Sequence, residues 1–563
     1  MVSIKEGNSI TKPKKRFCGC EKDDFLPEES FQSWSNYGKA LLETRTRLKD
    51  RFLARSSDQL ELHDMLARSQ NELKKTLNWF DLIWFGIGAV MGAGVFVLSG
   101  EAARDLAGPA VLLSYLISGF AALLSVLCYT EFAVELPVAG GSFAYLRVEL
   151  GDFVAYIAAG NILFEYVVAG ASVARSWTSY FATLCNHDPN DFRISVTSLA
   201  EGFNHLDPIA VGVSMIICCI ASFSIKGSSR FNSIATILYL TLMVFMIVAG
   251  ATKANTSNFQ PFVPFGIRGV LKASSVLFFA YVGFDGVATL GEETKNPARD
   301  IPVGLVGSMM VVITIYSLLA TVLCLVQPYN QIDRDAPFTI AFQAAGMNWA
   351  KYIIALGALQ GMTTVLLANI IGQARYFTHI ARTHLAPPIL AVIHKKRGTP
   401  MNATIIMTLA NCLVALFTNL DILANLLSIS TLFIFSLVAL ALLLSGSRFF
   451  GRLNVNLWVG YAGMAGVWFL ATLGLQLLMK QARNPKLWGV PMVPWLPSAS
   501  IGINVFIMGS IDGASFLRFL GWTGVLLVYY FFVGLHASYD ASKDDMKKEE
   551  IHGMNSESVE LKA

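Results

Sequence analysis

The sequence predicts an all-α polytopic membrane protein arranged around two interrupted helices. Three observations carry that prediction. The 563 residues are 54% hydrophobic and 15% charged, where a soluble domain has about 25% charged residues. Apolar stretches of bilayer-crossing length, about 20 residues, recur along most of the chain. Two of them are broken by glycine. The first, Phe80 to Gly100, contains GIGAVMGAGVF, with Gly86, Gly88, Gly92 and Gly94 in nine residues. The second, Lys272 to Gly291, contains Gly283 and Gly286 around Phe284 and Asp285. Each interior glycine costs a helix about 1 kcal/mol relative to Ala. Open backbone at membrane depth is tolerated only inside protein or along a cavity. Close packing of small residues is the other reading of the first stretch. The recurrence of a break roughly 190 residues later favours two repeats of about five spans, with a substrate site between the breaks.

In order, residues 1–75 are too polar to insert and read as a cytoplasmic tail. It opens on the basic run Lys12, Lys14, Lys15 and Arg16. The mixed-charge segment Leu42–Lys75 reads as a solvated tail or an amphipathic helix on the inner leaflet. No cleavable leader is expected ahead of it. Spans are predicted at 80–100, 109–131, 153–181, 207–225, 231–251, 271–291, 302–327, 349–381, 402–419 and 422–446. Three more follow at 455–479, 493–511 and 516–538. Residues 76–446 form a ten-span core with repeats at about 80–251 and 271–446. Residues 447–538 add the extra spans, and 539–563 form a C-terminal tail.

Loop charge sets the orientation. With the N-terminus inside, inner loops carry Arg147, Lys226, Arg230, Lys295, Arg299, Arg382, Lys395, Lys396 and Arg397. Outer loops carry fewer: Arg104, Arg193, Lys253, Arg268 and Arg334. The sequon Asn255-Thr256-Ser257 falls on the outer side. Thirteen spans would put the C-terminus outside. That would also export Lys480, Arg483 and Lys486, against the charge rule. Of the eight cysteines, Cys128, Cys218, Cys219, Cys324 and Cys412 lie in apolar segments and read as packing residues. Cys18 and Cys20 lie in the tail and Cys185 in an outer loop, so no disulfide framework is implied. The net charge of +4 gives no case for nucleic acid. No cofactor, metal site or catalytic pairing stands out, and the lack of a GxxxxGK[ST] loop argues against ATP. The chain does not read as an enzyme.

The chemistry follows from the breaks. A break in span 1 gives its second half free N–H groups at a positive dipole end, which suits a carboxylate. A break in span 6 leaves carbonyls that suit an ammonium group. An α-amino acid carries both groups on one carbon, so two breaks can hold its head by backbone alone. Glu165, inside span 3, is an intramembrane acid. It reads as a counter-charge for substrate or a proton site, against a structural pair with Arg175. Asp285 reads as a coupling residue or as a cap for the second half of span 6. GEETKNPARDIP, with Glu292, Glu293, Lys295, Arg299 and Asp300, reads as a solvated loop or as a salt-bridge gate.

Four motifs then resemble one superfamily. GIGAVMGAGVF, CYTEFAVELPVAGGSFAY, FFAYVGFDG and GEETKNPARDIP resemble the amino acid–polyamine–organocation superfamily, and within it the plant cationic amino acid transporter family. The likeness covers about residues 72–446 and 487–538. It implies a leucine-transporter-type fold of two inverted five-helix repeats with broken helices 1 and 6, working by alternating access. By that likeness the substrate head is held by Val90, Gly92, Ala93 and Gly94, and by Phe279, Ala280, Val282 and Phe284, with Phe284 an aromatic gate. Glu165 is similar to a helix-3 acid of bacterial relatives. Two features depart from the pattern. Some relatives carry a helix-5 lysine where Tyr239 stands here, which puts proton coupling through that position in doubt. The family usually has fourteen spans, one more than the thirteen counted.

The expectation is a secondary active transporter for amino acids, cationic and also large neutral ones, with protons as the candidate coupling ion. The lipid bilayer of the plasma membrane, with the vacuolar membrane as alternative, would surround it. Transport of a polyamine or inorganic cation on the same fold, or an amino acid receptor that does not transport, are the rival readings.

Overall fold

The structure, a computed structural model, describes residues 25–52, 77–92, 94–135, 141–200, 202–223, 229–284, 287, 294–394, 399–445, 461–478 and 488–543. It is helical nearly throughout, with one two-stranded hairpin pairing Ile194–Ser195 with His205–Leu206. Span 1 begins at a reciprocal cap. The Asn78 side chain accepts from the Phe80 and Asp81 N–H groups, and Asp81 accepts from the Asn78 N–H, satisfying donors that a helix start leaves open. The helix runs Trp79–Val90, stops, and resumes over Gly94–Glu101. A π-helical turn, Ala102–Ala107, follows, and Gly108 at φ +65° turns the chain toward span 2.

Spans 2 to 5 are Val111–Glu135, Asp152–Leu184, Pro208–Phe223 and Ser229–Ala251. Span 6 starts as Gly266–Leu277 and tightens into a 3-10 turn at Phe278–Tyr281. Spans 7 to 10 are Pro297–Val326, Asn348–Arg382, Met401–Phe417 and Leu420–Ser445. Spans 11 and 12 are Tyr461–Leu478 and Trp495–Met508. Span 13 begins as Gly513–Tyr529 and continues helically to Lys543. Among the described residues, six helical runs are long and apolar enough to cross a bilayer on length and composition, and six further helices are apolar but shorter. This is the pattern of an all-α polytopic membrane protein.

Packing divides the core into two groups. Spans 1, 2, 6 and 7 pack on one another, spans 3, 4, 8 and 9 form the other group, and span 10 packs on span 3 as well as on spans 2 and 6. Span 5 touches spans 1, 7 and 8 and so bridges them. The closest helix partnership is span 3 with span 8, and span 12 lies against span 10.

Several elements differ from the sequence expectation. Short helices at Gly141–Leu150 and Pro337–Ala344 lie in stretches read as loops. In the N-terminal tail, helices occupy Trp34–Leu42 and Thr44–Phe52, the first upstream of the segment considered for a helix. They dock on protein as well. Arg47 pairs with Asp540 at 3.1 Å and Arg51 with Asp152 at 3.2 Å. The Tyr37 hydroxyl donates to the Phe532 carbonyl, and Glu28 pairs with His384 at 2.7 Å. Residues 28–51 and 532–540 therefore share one end of the bundle. Cys219 is exposed on span 4, unlike its buried neighbour Cys218, so it is no packing residue. Cys18, Cys20, Lys480, Arg483 and Lys486 lie outside the described residues.

Candidate functional site

The span 1 break has a definite shape. Met91 has φ −72° and ψ 73°, and the Gly92 N–H donates to the Val90 carbonyl at 2.7 Å. That is an inverse γ-turn. The helix stops there because the turn diverts the chain before Gly94 starts the next helix. Span 6 breaks differently. Val282 is extended at φ −73°, ψ 149°, and Gly283 has φ +118°, a region that L side chains avoid.

The two breaks meet backbone to backbone. A Cβ on Gly94 would lie 2.6 Å from the Ala280 Cα. A Cβ on Gly283 would run into the Ala89 carbonyl and sit 3.5 Å from the Val90 Cα. The other glycines of span 1 serve packing. Gly86 leaves room for Ser308 of span 7, Gly88 for Thr236 of span 5 and Gly92 for Val365 of span 8. The close-packing reading therefore holds at Gly86, Gly88 and Gly92, and the helix is interrupted as well.

Two buried tyrosines reach the break from the neighbouring spans 5 and 7. The Tyr239 hydroxyl of span 5 donates to the Gly92 carbonyl at 2.6 Å. The Tyr316 hydroxyl of span 7 donates to the Val90 carbonyl at 3.2 Å. A small cavity opens beside the break between spans 1, 5 and 8, lined by Gly88, Met91, Thr236, Tyr239, Gln360 and Thr364. Aromatic rings pack on both half-helices beyond the breaks. Phe96 packs edge-on against Tyr180, Tyr239 and Phe338, the last on the Pro337–Ala344 helix. Phe284 is fully buried against Tyr129 at 5.3 Å and Phe435 at 5.0 Å.

The predicted residues fall into four sets. Val90, Gly92, Gly94, Ala280, Val282 and Phe284 lie at the facing breaks, and Phe279 is a half-buried member of the span 6 turn. Glu165 is half-buried on span 3 and accepts from the Thr431 hydroxyl of span 10 at 2.7 Å. It does not pair with Arg175, whose guanidinium donates to the Ala415 and His205 carbonyls and to Asn419. Arg299 is exposed at the start of span 7, away from the breaks, while Asp300 is buried and accepts from the Asn296 N–H. Ala93, Asp285, Glu292 and Glu293 lie outside the described residues.

Sequence reasoning missed a stripe on span 10. Ser428, Thr431 and Phe435 share one face. The Ser428 hydroxyl donates to the Val276 carbonyl of span 6, Thr431 to Glu165, and Phe435 packs on Phe278 and Phe284. The i, i+3, i+7 spacing was visible, but the stretch is apolar all round and gave no reason to prefer that face. Among the described residues, no group of three or more His, Cys, Asp or Glu is placed to hold a metal ion.

The family model described as amino acid permease matches residues 77–534. Cationic amino acid transporter 1 of Arabidopsis thaliana is 59% identical over 565 residues, covering 95% of each chain. The vacuolar cationic amino acid transporter 8 of the same plant is 48% identical, covering 94% of this chain and 95% of its own. The branched-chain amino acid permease BcaP of Bacillus subtilis is 32% identical, covering 84% and 96%.

Proposed function

The chain belongs to the amino acid permease family, and from that premise we propose that it moves cationic amino acids first and large neutral ones second, by alternating access around the two breaks. It is a multi-pass membrane permease and not an enzyme. The observation that carries the substrate reading is the contact of Gly94 with Ala280 and of Gly283 with Ala89. It brings the N-terminal end of one half-helix beside the C-terminal end of another.

The half-helix beginning at Gly94 offers its N–H groups and positive dipole end to a carboxylate. The turn ending at Tyr281 offers carbonyl oxygens to the α-ammonium group. Val90, Gly92, Ala93 and Gly94 thus bind one pole of the substrate head. Phe279, Ala280, Val282 and Phe284 bind the other, with Phe284 as the gate beneath. Glu165 reads the side chain. Its tie to Thr431 holds the carboxylate on the span 3–span 10 side, and a cationic side chain reaching there meets an opposite charge in a low-dielectric setting. Branched-chain and cationic relatives both occur, which supports a backbone-held head with an adjustable side-chain pocket. Protons are the proposed coupling ion, and the plasma membrane the proposed location. Glu292, Glu293 and Arg299 are proposed to gate the inner end, and Asp285 to cap or couple the second half of span 6.

The test is uptake of labelled arginine, lysine and leucine into proteoliposomes holding the full chain, with and without an imposed pH gradient. Saturable arginine uptake that leucine inhibits more weakly is the expected result. Binding without accumulation would overturn transport.

A further inference from the structure

We propose that Tyr239 and Tyr316 are positioning residues. Their hydroxyls hold the open turn of span 1 so that the N–H groups after it face the substrate carboxylate. This rests on the reading of the break as the substrate-head site.

The turn at Met91 is closed by a single short-range backbone bond, Gly92 N–H to Val90 carbonyl. A three-residue turn of this kind is a weak constraint by itself. At membrane depth its carbonyls also need donors, because lipid offers none. The structure supplies two. Tyr316 gives the Val90 carbonyl a second donor, using both lone pairs of that oxygen. Tyr239 gives the Gly92 carbonyl its donor at 2.6 Å. Each comes from a different helix, span 5 and span 7, so the turn is held at two of its carbonyls.

Both phenols are themselves held. The Tyr239 ring is 5% exposed, packs edge-on to Phe96 at 5.9 Å, and fills space that Gly361 of span 8 leaves open. Tyr316 is fully buried and packs with Tyr115 and Tyr281, whose hydroxyl donates to the Tyr115 carbonyl. A donor with a locked ring transmits the position of its helix to the acceptor. Gly92 lies two residues before Gly94, where the half-helix starts. A shift of the Gly92 carbonyl therefore rotates the N–H groups assigned to the carboxylate.

The role predicts a specific signature. Tyr239→Phe keeps the ring and its packing on Phe96 and removes only the donor. The KM for arginine should rise about fivefold to tenfold, the size expected for one lost hydrogen bond. Vmax and the amount of folded protein should stay within about twofold. Inhibition by agmatine, which is arginine without its carboxylate, should not change. Tyr316→Phe should move the arginine KM in the same direction by less, its bond being longer. Unchanged arginine KM in both variants, or equal weakening of arginine and agmatine, would overturn the tether. A native protein that bound arginine and agmatine equally would instead overturn the substrate-head reading beneath it.

Discussion

Glu165 meets Thr431 rather than Arg175, and this decides what its replacement should do. An acid paired with an arginine would be structural, and losing its charge would strand a buried cation. Bonded to the Thr431 hydroxyl and not to Arg175, it is not the counter-ion of that buried guanidinium. Glu165→Gln should cut arginine uptake by at least about tenfold, the order of cost for removing one partner of a desolvated charge pair. Leucine uptake should fall by much less. If Glu165 carries a coupling proton instead, both uptakes fall together and lose their dependence on an imposed pH gradient. Equal uptake of arginine by the variant and the native chain would assign Glu165 a structural role. The acid itself was legible in the sequence because a carboxylate stands out in an apolar span. Thr431, Tyr239 and Tyr316 were not. Hydroxyls in spans often bond back to their own helix, as Thr130 does to the Val126 carbonyl, so the sequence cannot tell which of them reach across.

Span 1 was legible as a broken helix because four glycines in nine residues have no other economical explanation at membrane depth. The site of the break was less legible. It falls at Met91, an ordinary helix former, because tertiary contacts on Val90 and Gly92 hold the turn there. Gly94 has no space for any side chain against the Ala280 backbone. Gly94→Leu should abolish measurable uptake while protein still reaches the membrane, and normal uptake would remove the assigned head site. Gly283 carries a second constraint, a φ of +118° that only glycine adopts without strain. Gly283→Ala should lower thermal stability by at least about 1–2 kcal/mol, the cost of a left-handed residue with a Cβ, before the clash with Ala89 is counted. A fluorescence-monitored melt in detergent reads it. The helices at Gly141–Leu150 and Pro337–Ala344 escaped notice because each is too short for its apolar pattern to separate from loop. The second one nonetheless places Phe338 over Phe96.

At the scale of the whole molecule, the two ends of the chain hold each other. Arg47 donates to Asp540 and to Ser30, and its guanidinium lies 4.7 Å from the Tyr539 ring centroid. Arg51 reaches Asp152, which Arg147 also engages, and donates to the Ser538 carbonyl. These are partly buried pairs, so removing one partner strands the other. Asp540→Asn should therefore expose residues 25–52 to limited proteolysis without abolishing uptake. The shared end also bears on a topology that counting hydrophobic stretches leaves open. Thirteen apolar stretches read singly predict termini on opposite faces. Charge argued the other way, through Lys480, Arg483 and Lys486, and the contacts of Arg47 and Tyr37 with the last helix agree with charge. Epitope tags at residue 1 and after Ala563 should both be silent in intact cells and both appear when the plasma membrane is permeabilised, if the N-terminal tail is cytoplasmic as loop charge predicts. A C-terminal tag stained in intact cells, with the N-terminal tag protected, would mean that thirteen segments do cross and that the Arg47–Asp540 pair does not form in the membrane.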